Sequence, residues 1–171
     1  MKTLLVAFTA TTLVTVAGVG VVEACGAKFL VATRNAKNIK VQRAAQPGRV
    51  LVYTHSDDPA DTPETVAEAT AVIREWLEGV GHTVLVAPDE NALRDRVRGD
   101  DVDVVIMGVN SARRLKNDIA SWAPGTAILP ATATPTGAER ARIKGEFGEM
   151  FVVGDGKRVA LASVERSYQR N

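Results

Sequence analysis

The stretch "VDVVIMGVN", residues 102–110, decides how this chain folds. It opens on a carboxylate, runs through β-branched and other apolar residues, and ends in Gly108, Val109 and Asn110. An uninterrupted apolar run of this length reads as a strand buried on both faces, which is the signature of a parallel sheet covered by helices. In an open sheet of that kind, ligands and reactions gather beyond the carboxyl ends of the strands. The residues that follow Met107 are therefore the ones to examine.

Outward from this strand, strand-like and helix-like blocks alternate. "RVLVYT" (49–54), "HTVLVA" (82–87), "TAILPAT" (126–132) and "EMFVVG" (149–154) are short and rich in apolar residues. Between them lie segments with apolar residues at helical spacing. "TPETVAEATAVIREWLEGVG" (62–81) carries Val66, Ala69, Ile73, Trp76, Leu77 and Val80 on one face, with Asp61 and Glu64 at capping-box spacing before it. "DENALRDRVRG" (89–99) turns Leu93 and Val97 inward, and "SARRLKNDIASW" (111–122) does the same with Leu115, Ile119 and Trp122. "TGAERARIKGEF" (136–147) reads as a helix broken at Gly145, and "KRVALASVERSYQR" (157–170) as a closing helix burying Leu161, Val164 and Tyr168. Right-handed crossovers make a three-layer, doubly wound α/β domain over residues 49–171 the simplest solution, and the order 2-1-3-4-5 is the one expected for its five parallel strands.

The 171 residues carry a formal net charge of +1, which argues against nucleic-acid binding driven by bulk charge. The charge is uneven, however. Residues 25–48 hold Lys28, Arg34, Lys37, Lys40 and Arg43 and no acid, whereas the chain from Val50 onward is net acidic. This segment reads as a basic linker with one short strand at "KFLVAT", suited to an anionic surface or simply solvated. Before it, residues 1–24 show a lone Lys2, an apolar run from Leu4 to Val22, and small residues at the end, the anatomy of a signal peptide or of an N-terminal membrane anchor. The sequence "VEAC" resembles the lipobox of bacterial lipoproteins, although Glu23 departs from its pattern. That resemblance implies lipidation at Cys25, and with it an exported protein, periplasmic or membrane-attached. Cys25 is the only cysteine, so no internal disulfide is expected.

From Val50 to the C-terminus the block spacing resembles the receiver domain of bacterial response regulators, and "VDVVIMGV" is similar to that family's third strand. The resemblance implies a receiver-like, flavodoxin-like fold. It also implies a set of phosphoryl-transfer residues: an aspartate at the end of the third strand, an acidic pair after the first, a hydroxyl after the fourth and a lysine after the fifth. Such chemistry needs a carboxylate nucleophile, a hard cation and a fixed ammonium. Here the phosphoacceptor position falls on Gly108 and the acidic pair on Thr54 and His55. The hydroxyl position falls on Ala131, with Thr132 one place late, and the lysine position near Gly154, with Lys157 three places late. Asp103 sits at the other end of the same strand, five residues and roughly 16 Å away. The reading is a pseudo-receiver without catalytic residues, cofactor or metal, acting through an unidentified protein partner.

The segment from Val50 to Val84 is also similar to the start of flavodoxins, with Thr54, Ser56, Thr62 and Glu64 echoing the loop that cradles the FMN phosphate. That loop here lacks glycine, contains Pro59 and Pro63, and carries Asp57, Asp58 and Asp61. A flavin or other small ligand would use a rim made of Thr54, His55, Ser56, Asp57, Asp58, Asn110, Ser111 and Thr132. His55 and His82 fall at opposite ends of neighbouring strands and read as surface or turn histidines. Arg113, Arg114 and Lys116 read as a solvated basic face, Trp76 and Trp122 as core, and "GDGK" (154–157) as a turn into the last helix.

Overall fold

A computed structural model of the chain describes residues 44–59 and 61–169. The leader, Cys25, most of the basic linker and the strand expected at "KFLVAT" lie outside the described residues. Among the described residues, no helix is long and apolar enough to cross a membrane.

Five parallel strands form one sheet. They are β1 (Arg49–Tyr53), β2 (Thr83–Ala87), β3 (Val104–Gly108), β4 (Ala127–Thr132) and β5 (Phe151–Val152). Their order is β2-β1-β3-β4-β5, the doubly wound order of receiver-like and flavodoxin-like folds. The helices are α1 (Pro63–Glu78), α2 (Glu90–Gly99), α3 (Val109–Trp122), α4 (Gly137–Phe147) and α5 (Lys157–Tyr168).

Alternation along the strands divides the core in two. Val50, Val52, Val104, Ile106 and Leu129 pack with Ile73, Trp76 and Leu77 of α1 and Ala160, Leu161 and Val164 of α5. Leu51, Tyr53, Val105 and Met107 point the other way, onto Leu93 and Val97 of α2 and Leu115 and Ile119 of α3. Because both faces are covered, β3 is apolar at every position, and Val104 to Met107 are almost completely buried. Trp76 lies in the first cluster; Trp122 only packs at the edge of the second, with the Arg98 guanidinium 6.0 Å from its ring centre.

Four local expectations are corrected. The cap of α1 is Thr62, whose Oγ1 accepts from the Thr65 N–H while the Thr65 Oγ1 accepts from the Thr62 N–H; Asp61 and Glu64 do not form that box. Helix α4 runs unbroken through Gly145 and ends at Gly148, which has φ of 82°. Its Thr136 and Glu139 make the reciprocal cap instead. The third strand stops at Gly108, so Val109 and Asn110 already belong to α3. The last strand keeps only two residues before a 3-10 turn, Val153–Asp155. Pro130 gives β4 no N–H there, and β5 pairs only with Ala131 and Thr132 beyond it.

Candidate functional site

The crossing point of the sheet lies between β1 and β3, which carry their chains into α1 and α3. At this carboxyl edge the first strand passes into the loop 54–62, and the third passes directly into α3. A small cleft of about 80 Å³ opens between them, lined by Thr54, His55 and Ser56, by Val66, Ala69 and Ile73 of α1, and by Gly108 and Ala131. Its walls are mainly the apolar side of α1 and the ends of the strands.

Gly108 sits at the end of β3, where the receiver resemblance expects a phosphoacceptor. Its backbone has φ −55° and ψ 150°, which any residue adopts. A Cβ built there would meet no atom within 4 Å. Neither sterics nor backbone geometry calls for glycine, so the missing carboxylate reflects the sequence itself and not a crowded fold.

The acidic loop is tied down. Ser111 in the first turn of α3 is fully buried, and its hydroxyl donates to Asp57 Oδ2 at 2.7 Å. Arg114, one turn further on, donates to the same oxygen from Nε at 3.2 Å and Nη2 at 3.1 Å. Its Nη1 donates to Glu90 of α2 at 2.8 Å. The Ser111 bond, reinforced by Arg114, holds the Asp57 carboxyl below the usual carboxylate range. Arg114 is in turn stabilised as a cation by Glu90 and Asp57. Burial pushes the Tyr53 phenol up, with the Arg114 guanidinium beside it.

The remaining rim residues divide in the same way. Thr54 turns to β2, its N–H donating to the Ala87 carbonyl at 2.9 Å. The Ser56 hydroxyl donates to Asp61 and accepts from the Asp58 N–H. His55 stands half exposed, its Nε2 3.8 Å from Asp57 Oδ1. Asn110 is exposed at the head of α3, and Thr132 lies across the edge in the ladder with β5. Asp57 and Ser111 therefore meet, with His55 alongside. The order places the carboxylate between hydroxyl and imidazole, whereas a nucleophilic triad places the imidazole in the middle.

Arg114 lies on an exposed face, in line with the sequence reading, and is also the hub of the rim; Arg113 and Lys116 pair with Glu146 of α4 at 2.9 and 3.5 Å. A signal for Arg114 was present in the sequence, because it follows Ser111 by three residues and so shares its side of α3. The flavodoxin-like phosphate cradle is closed as well. The Thr65 N–H is taken by Thr62 and Pro63 has no N–H, so the first turn of α1 offers few amides to an anion. Among the described residues, no group of three His, Cys, Asp or Glu is placed to hold a metal ion.

At the opposite edge, His82 directly follows the turn at Gly81, and of the two expectations, surface or turn, the first is corrected because the residue is buried. Its Nδ1 accepts from the Gly48 N–H at 3.2 Å. Tyr168 of α5 stacks on the ring at 5.6 Å between centres.

Compared with known proteins, the chain matches no family model, no curated sequence and no solved structure.

Proposed function

We propose that this domain is a receiver-like module without phosphoryl transfer, acting through protein contacts. The observation that carries the reading is the pairing of an open, side-chain-free Gly108 with an Asp57 already engaged by Ser111 and Arg114. A receiver active in phosphoryl transfer would need free carboxylates at this edge to hold a hard cation and a nucleophile opposite them. Here the nearest carboxylate serves instead to fasten the loop 54–62 to α3 and α2. The result is one fixed rim surface that does not depend on phosphorylation. On this reading the domain is exported and held at a membrane by its leader or by a lipid on Cys25, which the lipobox-like sequence supports.

The test incubates the full chain with labelled acetyl phosphate and Mg²⁺. No stable label is expected. Label transfer that disappears in the Asp57→Ala, Asp58→Ala double variant would overturn the reading. The intact mass of the N-terminal peptide isolated from membranes tests the attachment: a lipid on Cys25 or a retained leader supports it, and a free, unmodified mature N-terminus opposes it.

A second reading, a small-ligand site on the same rim, draws on the cleft at the crossing point of the sheet. Its volume of about 80 Å³ is well under the few hundred cubic ångströms usual for a drug-sized ligand. A yellow protein, or a melting temperature raised by FMN, would favour this second reading over the first.

A further inference from the structure

At the amino edge of the sheet, far from the rim, residues 44–48 lie along the core and are fastened at both ends. The Ala44 N–H donates to the Val80 carbonyl at 2.9 Å, and the Gly48 carbonyl accepts from the Thr83 N–H at 3.0 Å. Between these, the Gly48 N–H donates to His82 Nδ1 at 3.2 Å. Gly48 approaches the cluster so closely that a Cβ there would come within 2.7 Å of Asp103 Oδ2 and of the Tyr168 hydroxyl oxygen.

The donor identifies the tautomer. A backbone N–H needs a lone pair, so Nδ1 is unprotonated and the ring hydrogen of neutral His82 sits on Nε2. That Nε2 is buried without a hydrogen-bond partner, 3.8 Å from Glu165 Oε1. The Tyr168 hydroxyl oxygen lies 3.3 Å from the same Nδ1. The groups facing the ring are thus Glu165 and Tyr168 from α5 and the Asp103 carboxylate from the segment before β3. Arg49, next to Gly48, turns its guanidinium away to the Asp100 carbonyl at 2.6 Å and gives its own N–H to Asp103 at 2.7 Å.

We propose that His82 is an acid-released latch: uncharged, its Nδ1 holds the Gly48 amide on the amino edge of the sheet, and a proton at that nitrogen sets the amide free. With Nδ1 protonated, two N–H donors face one another and the bond to Gly48 is lost. The Tyr168 oxygen can then accept from Nδ1–H, and the Glu165 carboxylate, 3.8 Å from Nε2, faces the new positive charge, so the charged ring has partners of its own. The ring has two bonding patterns, and only one of them includes the linker. Burial favours the neutral pattern and lowers the His82 pKa from its ordinary 6.5, with Glu165 opposing. The latch therefore stays closed at neutral pH and opens in acid, which makes it a pH-dependent junction between the domain and the chain that precedes it.

The test follows amide exchange of Gly48 and the ring signals of His82 in the full chain from pH 8 to pH 5, with exchange expressed as protection relative to the unstructured amide. The Gly48 protection is expected to fall by roughly tenfold, the equivalent of one ordinary hydrogen bond, with the same midpoint as the ring. In His82→Asn, whose side-chain oxygen occupies the Nδ1 position without titrating, protection should stay level. A second variant, Glu165→Gln, keeps the ring and should move both midpoints to lower pH together. A Gly48 protection that ignores the titration of the ring, or that falls equally in His82→Asn, would overturn the proposal.

Discussion

Gly48 and Gly108 are both glycines at strand boundaries, and their surroundings give opposite forecasts. A methyl group on Gly48 runs into Asp103 and Tyr168, so Gly48→Ala is expected to cost about 1–3 kcal/mol in urea unfolding. Gly108→Ala has open space and an ordinary backbone, and should be neutral or stabilise by about 0.4–1 kcal/mol through the unfolded chain. If Gly108→Ala instead unfolds the protein, the end of β3 is held by something other than the packing described. Asp57 tests the rim in the same way. Asp57→Ala leaves the buried Ser111 hydroxyl only the long contact to the His55 carbonyl at 3.5 Å and removes an acceptor from Arg114, at an expected cost of about 1–3 kcal/mol. Ser111→Ala, which leaves Asp57 still paired with Arg114, should cost less. The double variant should fall short of the sum, because both changes break one bond.

Among the elements, α4 and β5 are where periodicity alone misleads. A glycine in a helical pattern reads as a break, yet α4 passes through Gly145, because Thr136 and Glu139 cap its start, Gly148 ends it, and Ile143 anchors its buried side. A Cβ at Gly145 would be free of contacts, so Gly145→Ala should stabilise the domain by about 0.5–1 kcal/mol, read as a higher melting temperature. Strand β5 looks long in sequence because Met150 to Val153 are all apolar, but its ladder spans only Ala131 and Thr132 of the neighbouring strand and the chain turns into a 3-10 segment straight after Val152. Its hold on the sheet rests on Phe151, fully buried and packed against Trp76 at 6.4 Å between ring centres. Phe151→Ala is expected to cost about 3–5 kcal/mol. Glu149, just before it, is nearly buried; burial pushes its carboxyl up, but Arg166 of α5 and Lys144 of α4 overcome this and hold it low. The ends of α4 are thus set by caps in its own segment, whereas the extent of β5 depends on the strand beside it and on the 3-10 turn that follows.

For the whole molecule, acid should act in two stages. His82 has a lowered folded-state pKa, so the unfolded chain binds the proton more readily; its stabilisation is complete above about 6.5 and is lost as pH falls through the folded value. The carboxyls of Asp57, Asp155 and Glu149 are also lowered, by Ser111 and Arg114, by Arg140, and by Arg166 and Lys144 respectively. Their contribution is present above the ordinary carboxylate range and disappears as pH falls through their folded values. Thermal melts are expected to show a shallow loss below pH 6.5 and a steeper one below about pH 4, with the first stage missing in His82→Asn. The sequence by itself determined the architecture. Apolar runs of strand length alternating with amphipathic helices leave a covered parallel sheet as the simplest burial, right-handed crossovers place helices on both of its faces, and the observed order β2-β1-β3-β4-β5 is the expected one. It also determined that Gly108 brings no carboxylate to the end of β3. Only the tertiary structure decided what the neighbouring polar residues do. Asp57 and Arg114 are 57 positions apart and His82 and Tyr168 are 86 apart, and no local period records either meeting. Hydrophobic patterning specifies which face of an element is buried, whereas a hydrogen bond depends on distance and angle to a particular atom, and these exist only once the sheet has brought remote segments together.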